Sequence, residues 1–231
     1  MLKVVTVYRT GGDYDPVYVK RLADGVKRSL KIPHEFICLS NDSEKHVGLK
    51  TIPLRHNWPG WWSKMEVFSL QGPLLYFDLD TVITGPIDEL ARWVIDNPGP
   101  LLMLRGFYRG DQCSGIMGWS DSFSWIYEQF WINFGDQAIY EVKKNGISMM
   151  VGGKHFRGDQ EWLKEFYRHR FDQVTIVMVQ DIMQGIVSYK VDVQPKGKLP
   201  TDAKIVCFHG FPRPAEIIPK PKWLEKYWLG N

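Results

Sequence analysis

Cysteine is scarce in this chain, and the few cysteines show no pattern typical of a disulfide framework or a zinc site. Cys38, Cys113 and Cys207 are odd in number, lie far apart among 231 residues, and show no CxxC spacing. Small proteins that depend on disulfides carry even sets of cysteines and belong to oxidising compartments. The cysteine usage therefore favours a reducing compartment, and we expect a cytoplasmic protein.

Long apolar runs and an excess of one charge are also missing. No run approaches the roughly 20 apolar residues of a membrane-spanning helix, and the apolar stretch at the N-terminus is too short for a signal peptide. The net charge is only +3, with Lys and Arg distributed along the whole chain, so no nucleic-acid partner is predicted. A hydrophobic fraction of 44% is typical of a globular protein, and we expect a single domain spanning residues 1–231.

Aromatic residues, by contrast, are abundant: the chain has ten Trp, ten Tyr and twelve Phe. Most of them are expected in the core, but such a number also suits a pocket that stacks sugars or bases. The C-terminal residues 220–229 mix lysines with aromatic residues. This tail could make a peripheral contact with an anionic membrane, although we favour a helix that packs on the domain.

Short apolar runs alternate with helical patterns, which predicts an α/β fold with a mostly parallel central sheet flanked by helices. Strands are predicted at residues 2–8, 35–40, 51–54, 74–77, 101–104 and 204–208. Helices are predicted after Asp15, an N-cap followed by Pro16, and over 61–70, 119–131 and from about 159 onward. Residues 132–158 predict no element.

Two carboxylates, Asp78 and Asp80, follow the predicted strand 74–77, a continuous apolar run typical of a strand buried on both faces. Residues two apart in an extended chain point to the same side, so both carboxylates could meet one hard cation. Ligands of open α/β sheets bind outside the carboxyl ends of the strands. Aspartate is also common where strands end in turns, so the pair alone leaves a purely structural role open.

Four segments in the same order resemble glycosyltransferase family 8, the glycogenin and lipopolysaccharide galactosyltransferase type. Residues 75–83 (LYFDLDTVI) resemble its DxD segment, and residues 113–117 (CSGIM) its "N-S-G-V-M" strand. Residues 158–161 (GDQE) resemble its "D-Q-D" helix start, and residues 208–214 (FHGFPRP) its "H-x-x-G-x-x-K-P" segment. The chain departs from the family in having Cys for Asn and Arg for Lys, and in a shorter His-to-Gly spacing.

The resemblance implies a GT-A, nucleotide-diphospho-sugar transferase fold and a hexosyltransferase-like enzyme that uses a nucleotide-sugar donor, UDP-linked in this family, with retained anomeric configuration. It implies that Asp78, Asp80 and His209 are the metal ligands. Such an oxygen-rich site with one imidazole suits Mn²⁺ or Mg²⁺ better than zinc. A divalent cation neutralises charge on a departing nucleotide diphosphate. The acceptor, whether glycan, lipid or protein, is not predicted, and His209 taken alone would suit a structural role.

Further candidates follow from the resemblance and from their positions. Arg213, a planar fork, and Lys64, a point charge, are candidates to grip the diphosphate. Asp159 and Gln160 are the catalytic candidates near the reacting sugar carbon, although Asp159 could simply be the N-cap of its helix. The remaining substrate-binding candidates are Tyr8, Arg9 and Asp13 for the base and ribose, Ser114 and Gly115 for the donor sugar, and Gly210 beside the predicted metal ligand. Asp13 could instead cap a turn, and Lys64 could be a solvated surface residue.

Three alternatives remain open. Residues 77–82 also fit the D-x-D-x-T/V motif of haloacid-dehalogenase-like Mg²⁺-dependent phosphatases, whose first Asp is a nucleophile. That motif normally follows the first strand, whereas here it follows about the fourth, and the sequence contains no GDxxxD. A non-catalytic nucleotide-sugar-binding protein is a second alternative. A nucleotidyltransferase is the third, but Gly11-Gly12 is too short for its glycine-rich loop.

Overall fold

The computed structural model describes residues 1–46, 48–134, 139–143, 146–151, 154–170 and 174–230. Its central feature is a seven-stranded sheet. The strands of this sheet are β1 (Leu2–Tyr8), β2 (His34–Ser40), β3 (Lys50–Pro53), β4 (Leu74–Phe77), β6 (Leu101–Arg105), β7 (Gln112–Trp119) and β11 (Ile176–Met178). Their spatial order is β11-β6-β7-β4-β1-β2-β3.

All neighbouring strands of this sheet are parallel except those that flank β7, which is antiparallel to both β4 and β6. The sheet is therefore mostly parallel. Because β4 lies in the interior of the sheet and each of its residues is buried, its apolar sequence is explained by burial on both faces. The predicted α/β fold is confirmed.

The other strands of the described residues form two small sheets. One contains β8 (Ile139–Lys143), β9 (Gly146–Val151) and β10 (Lys154–Phe156), and the other contains β5 (Thr81–Ile83), β12 (Ile186–Ser188) and β13 (Ile205–Cys207). The second sheet positions the candidate site, because β5 and β13 are antiparallel and Thr81 lies opposite Cys207. The segment after β13 is thereby brought to the Asp78–Asp80 turn.

Helices cover both faces of the central sheet. The α-helices are α1 (Val17–Ser29), α2 (Asp88–Asp96), α3 (Ser124–Phe134), α4 (Asp159–Arg168), α5 (Val179–Ile182) and α6 (Lys222–Leu224), with a 3₁₀ helix over Gly60–Ser69. One apolar cluster contains β4 residue Leu75 with α1 and α2. The opposite cluster contains Leu74 and Tyr76 of the same strand with the 3₁₀ helix, α3 and α4.

Several predicted elements differ in detail. The helix predicted over 61–70 is a 3₁₀ helix, and Trp119 is the last residue of β7, paired with Leu74, rather than part of a helix. Asp159 is the first residue of α4 and Gly158 is its N-cap, so the capping role predicted for Asp159 is wrong. The helix predicted after Asp15 begins at Val17, one residue later than predicted, although the Asp15 carboxylate accepts a hydrogen bond from the Val17 amide at 2.9 Å.

The C-terminal segment packs on α1, as the favoured interpretation predicts. Residues Glu225–Leu229 form a π-helical turn in which Trp228 is buried. The Trp228 ring lies edge-on to Tyr18 at 5.3 Å, and the Arg21 guanidinium lies 4.2 Å from its centroid. Within the described residues, no helix combines the length and apolar character that crossing a bilayer requires.

Candidate active site at the end of the central strand

The turn after β4 opens into a cavity of about 270 Å³. The backbone amide of Asp78 donates to Gly115 of the adjacent strand β7 at 2.9 Å, and Thr81 donates back to the Asp78 carbonyl at 3.1 Å. This turn directs both aspartates to the carboxyl end of the strand, where ligands bind in open α/β sheets. Five residues predicted from the sequence line the cavity together: Asp78, Asp80, Gly115, Gln160 and His209.

Asp80 is a buried carboxylate with little compensating positive charge. Its Oδ2 accepts a hydrogen bond from the Tyr14 hydroxyl at 2.8 Å. Burial raises the pKa of Asp80 to about 7, and the negative charge of Asp78 adds to the increase. Burial, followed by the two aspartate charges, likewise raises the pKa of Tyr14, so its hydroxyl stays protonated and remains a donor to the Asp80 carboxylate.

Asp78 is held by two donors on one of its oxygens. Its Oδ1 accepts from the Tyr76 hydroxyl at 2.6 Å and from the Lys64 ammonium at 2.9 Å. Among the described residues, its Oδ2 accepts no hydrogen bond. A Cβ at Gly115 would lie 3.4 Å from this Oδ2. The glycine therefore leaves the free edge of the carboxylate open to the cavity.

Lys64 lies behind this carboxylate and not on the surface. Its ammonium is 3.3 Å from Asp159 Oδ2 and donates to Ser114 Oγ at 3.1 Å, while Ser114 donates to the same Asp159 oxygen at 2.5 Å. Burial lowers the pKa of Lys64, but the charges of Asp159 and Asp78 outweigh this, and the net pKa is raised. Lys64 is thus a buried cation shared by two carboxylates, and it ties α4 and β7 to the Asp78 turn.

His209 reaches the cavity from the segment that follows β13. Its ring stacks on Phe107 with a centroid distance of 5.8 Å and contacts the edge of Tyr108 at 5.3 Å. Nε2 lies 2.7 Å from Ser188 Oγ, within hydrogen-bond distance. Burial and the positive charge of Lys190 lower the pKa of His209, so the imidazole is neutral at pH 7 and can act as a metal ligand.

Arg213 lies close to the same turn but is already paired. Its guanidinium donates to the carbonyl and the carboxylate of Asp13 at 2.8 and 2.6 Å. It also lies over the ring of Tyr14, 4.6 Å from the centroid. Arg213, which is paired with Asp13, therefore packs on the Tyr14 ring, and the Tyr14 hydroxyl in turn donates to Asp80. The turn cap considered for Asp13 is replaced by this ion pair.

The predicted binding residues Tyr8, Arg9 and Gly210 do not line the cavity. Tyr8 is buried and its ring contacts His46 edge-on at 4.8 Å. Arg9 donates to the carbonyl of His56 at 3.4 Å and to the side chain of Asn57. Gly210 follows His209 with φ +71°, a conformation that favours glycine.

The donor set fits a hard divalent cation better than zinc. Asp78 and Asp80 offer carboxylate oxygens to one cavity with a neutral imidazole, and the raised pKa of Asp80 marks a place that lacks positive charge. In the described residues, no three His, Cys, Asp or Glu side chains form a ready-made ion site. A cation here would take its remaining ligands from a bound molecule such as a diphosphate.

Sequence reasoning missed the two tyrosines that hold the carboxylates. Tyr76 is two residues before Asp78 on the same strand, so the period of two could have indicated it. Tyr14 gives no such signal, because 66 residues separate it from Asp80. Phe107 and Tyr108, which line the cavity beside His209, lie in a loop for which no role was predicted.

No family model matches this chain, and no curated protein sequence matches it. Among solved structures, the chain is similar to the glycosyltransferase GlyE of Streptococcus pneumoniae TIGR4, with a TM-score of 0.64 and 14% identity over 99% of this chain and 60% of that chain. The apo form of GlyE gives a TM-score of 0.61 at 14% identity, over 98% of this chain and 59% of that one. The fold is that of a glycosyltransferase. This chain spans about three-fifths of the GlyE length, and the family 8 resemblance has no further support from these comparisons.

The glycosyltransferase fold brings the residues that line the cavity together. The strand pairing of β4 with β7 places Asp78 beside Gly115, the β5–β13 pairing brings His209 to the same place, and the N-terminus of α4 supplies Gln160. Residues from four distant parts of the sequence are thus assembled by the glycosyltransferase fold at one end of the central strand.

Proposed function

We propose that this chain is a glycosyltransferase that moves a sugar from a nucleotide-diphosphate sugar, UDP-linked, to an acceptor with retention of configuration. One observation carries the proposal: Asp78 and Asp80 end the central strand of a glycosyltransferase fold and share a cavity with His209 and Gln160. Retention rests on the resemblance to family 8. The acceptor is a glycan, a lipid or a protein hydroxyl.

In this proposal Asp78, Asp80 and His209 hold Mn²⁺ or Mg²⁺. The bound cation supplies Lewis-acid stabilisation of the charge that develops on the leaving nucleotide diphosphate. The protein's own contribution is to hold the ligands in place. Tyr14 donates to one oxygen of Asp80, and Tyr76 donates to one oxygen of Asp78. These hydrogen bonds fix the two carboxylates and leave the second oxygen of each for the cation.

Asp159 and Gln160 have different roles in this proposal. Gln160 lines the cavity, and in this proposal its amide oxygen stabilises positive charge at the anomeric carbon. Asp159 is only 4% exposed and is held by Lys64 and Ser114, so it acts as a positioning residue that fixes the start of α4. Gly115 leaves room beside Asp78 for the donor sugar.

The phosphatase alternative is weaker than the transferase. The aspartate pair follows β4, not the first strand, and the fold matches a glycosyltransferase. The two activities differ in what they consume, because a phosphatase of this type would hydrolyse simple phosphomonoesters. Rapid turnover of such esters by the purified protein would contradict the transferase proposal.

The decisive experiment is a thermal-shift panel of UDP-, GDP-, CMP- and dTDP-sugars with and without Mn²⁺. A ligand at 100 times its Kd stabilises the folded state by about 2.7 kcal/mol, so the true donor is expected to raise the Tm by about 5–11 °C, and only with metal present. Asp80→Asn should abolish this shift and the release of the nucleotide diphosphate. Asp121→Asn, at an exposed aspartate outside the cavity, is the matched control and should behave as the wild type.

Two outcomes would contradict the proposal. Unchanged release of nucleotide diphosphate by Asp80→Asn would remove this residue from the mechanism. Metal-dependent binding of a nucleotide sugar without any sugar transfer or hydrolysis, across a broad set of acceptors, would instead identify a binding protein.

A further inference from the structure

Lys190 is a cation near the cavity and was not among the site residues predicted from the sequence. Its side chain is half-buried, and its Nζ lies only 3.4 Å from the position that a Cβ on Gly210 would occupy. Gly210 directly follows His209, which lines the cavity. Within the part of the chain that the structure describes, Lys190 forms no ion pair, so its positive charge is available to a ligand.

The two cations predicted to grip the diphosphate are, by contrast, already neutralised. Lys64 lies between Asp78 and Asp159, at 2.9 and 3.3 Å from their oxygens, and Arg213 is paired with Asp13 at 2.6 Å. Moving Lys64 toward a ligand would leave the buried Asp159 carboxylate without its partner, which is costly, and moving Arg213 would break its ion pair with the exposed Asp13 and its contact with the Tyr14 ring. Besides the metal, other cations near the cavity are therefore candidates to contact the diphosphate: Arg109 lines the cavity, and Lys190 lies two residues after Ser188, which contacts His209.

The protein holds Lys190 next to His209 through one shared serine. Ser188 Oγ accepts from the Val191 amide at 3.1 Å and lies 2.7 Å from His209 Nε2. The Ser188 amide donates to Asp192 Oδ2 at 2.7 Å, which closes the π-helical turn Tyr189–Val193. Because Ser188 contacts both, the turn that carries Lys190 and the His209 imidazole are held next to each other.

The backbone next to Lys190 is fixed as well. The ring of Tyr189 stacks on Phe208 with a centroid distance of 4.5 Å and an interplanar angle of 12°. Phe208 and His209 line the same cavity wall. Only the flexible stem of Lys190 remains to be ordered when a ligand binds, and the ammonium can follow the position of a phosphate as a mobile point charge.

We propose that Lys190 binds the diphosphate of the donor nucleotide next to His209. This inference rests on the proposed function, since it names a residue that holds the leaving group of that reaction. Lys190 would thereby take the role that the sequence assigned to Lys64 and Arg213. Lys64 becomes a structural cation behind Asp78, and Arg213 becomes the support of Tyr14.

The test measures binding of UDP and of inorganic pyrophosphate, each with Mn²⁺, by isothermal titration calorimetry. Loss of one charged contact corresponds to about a tenfold weaker Kd, and we expect this for both probes with Lys190→Ala and Lys190→Gln. Lys190→Arg keeps the charge and should recover most of the affinity. Lys196→Ala, at an exposed lysine just beyond the turn, is the matched control and should bind both probes as the wild type does.

The outcomes separate this inference from the proposed function. If the wild type binds UDP and both Lys190→Ala and Lys190→Gln bind it with the same Kd, the role of Lys190 is overturned and the transferase proposal stays intact. If the wild type binds none of UDP, GDP, ADP, CDP and dTDP in the presence of Mn²⁺, both proposals fall. Thermal melts of each variant show whether the protein is folded, and the glutamine variant keeps the first methylene groups of the side chain while removing its charge.

Discussion

Asp80 is buried beside a second carboxylate, and this arrangement makes the stability of the metal-free protein depend on pH. Its pKa is about 7 in the folded protein and 3.8 in the unfolded chain. Between these two values the unfolded chain ionises while the folded protein keeps its proton, so the folded state loses stability as the pH rises from 4 to 7. A cation that binds Asp80 would remove this penalty.

We therefore predict that Asp80→Asn is more stable than the wild type in EDTA at pH 8, by on the order of 3 kcal/mol. The advantage should shrink steadily as the pH is lowered toward 4, and Mn²⁺ should stabilise only the wild type. Urea unfolding at several pH values measures this difference, and Asp121→Asn, at an exposed aspartate, is the control and should follow the wild type. A destabilised Asp80→Asn at pH 8 would contradict the raised pKa.

The sequence predicts the residues of the proposed chemistry better than the residues that position them. Asp78 and Asp80 follow a strand with a strong apolar pattern, and the strand period alone places them together. The pairing of Lys64 with Asp159 could not be predicted, because 95 residues separate partners that meet only through the strand order. For the same reason nothing in the sequence indicated that Lys190 lies beside Gly210.

At the level of elements, the C-terminal turn is an integral part of the packing on α1. Trp228 is 6% exposed, contacts Tyr18, and receives a hydrogen bond from Arg21 on its carbonyl at 2.8 Å. We predict that Trp228→Ala lowers the free energy of unfolding by about 3–5 kcal/mol, the usual cost of truncating a buried tryptophan. Lys222→Ala, at an exposed position in α6, should change it by less than about 0.5 kcal/mol.

Chemical denaturation measures both variants. A loss below about 1 kcal/mol for Trp228→Ala, smaller than core truncations cause, would mean that the tail contributes little to the fold. The side chain would then be available for the membrane contact considered from its composition, and vesicle co-sedimentation of the wild type would test this contact directly.

The long elements were predicted well because their patterns leave little choice. The observed bounds of β1 and β4 agree with the predicted strands, since both are continuous apolar or β-branched runs. The three-residue strands β5 and β12 are too short to show a period, and the pairing of β5 with β13 joins residues more than 100 positions apart in the sequence. Trp119 shared a helical spacing with the following segment, but pairing with Leu74 places it in a strand.

At the scale of the whole molecule, a single strand connects the three apolar clusters. Val5 of β1 belongs to the cluster under α3 and α4, Val4 to the cluster under α1 and α2, and Tyr8 to the cluster that contains Trp228. Loss of β1 would therefore expose all three clusters at once. This connection favours one cooperative unit over residues 1–231, although two-state unfolding is usual only for shorter domains, below about 150 residues.

We predict that urea unfolding followed by far-UV circular dichroism and by tryptophan fluorescence gives coincident transitions. The tryptophans report on every cluster, because Trp62 lies in the first, Trp93 packs against the second and Trp228 lies in the third. Val4→Ala in β1 should shift both curves equally, since a cavity on one face of a shared sheet weakens the whole unit. If the two probes separate, or if Val4→Ala shifts only one of them, the chain contains more than one cooperative unit.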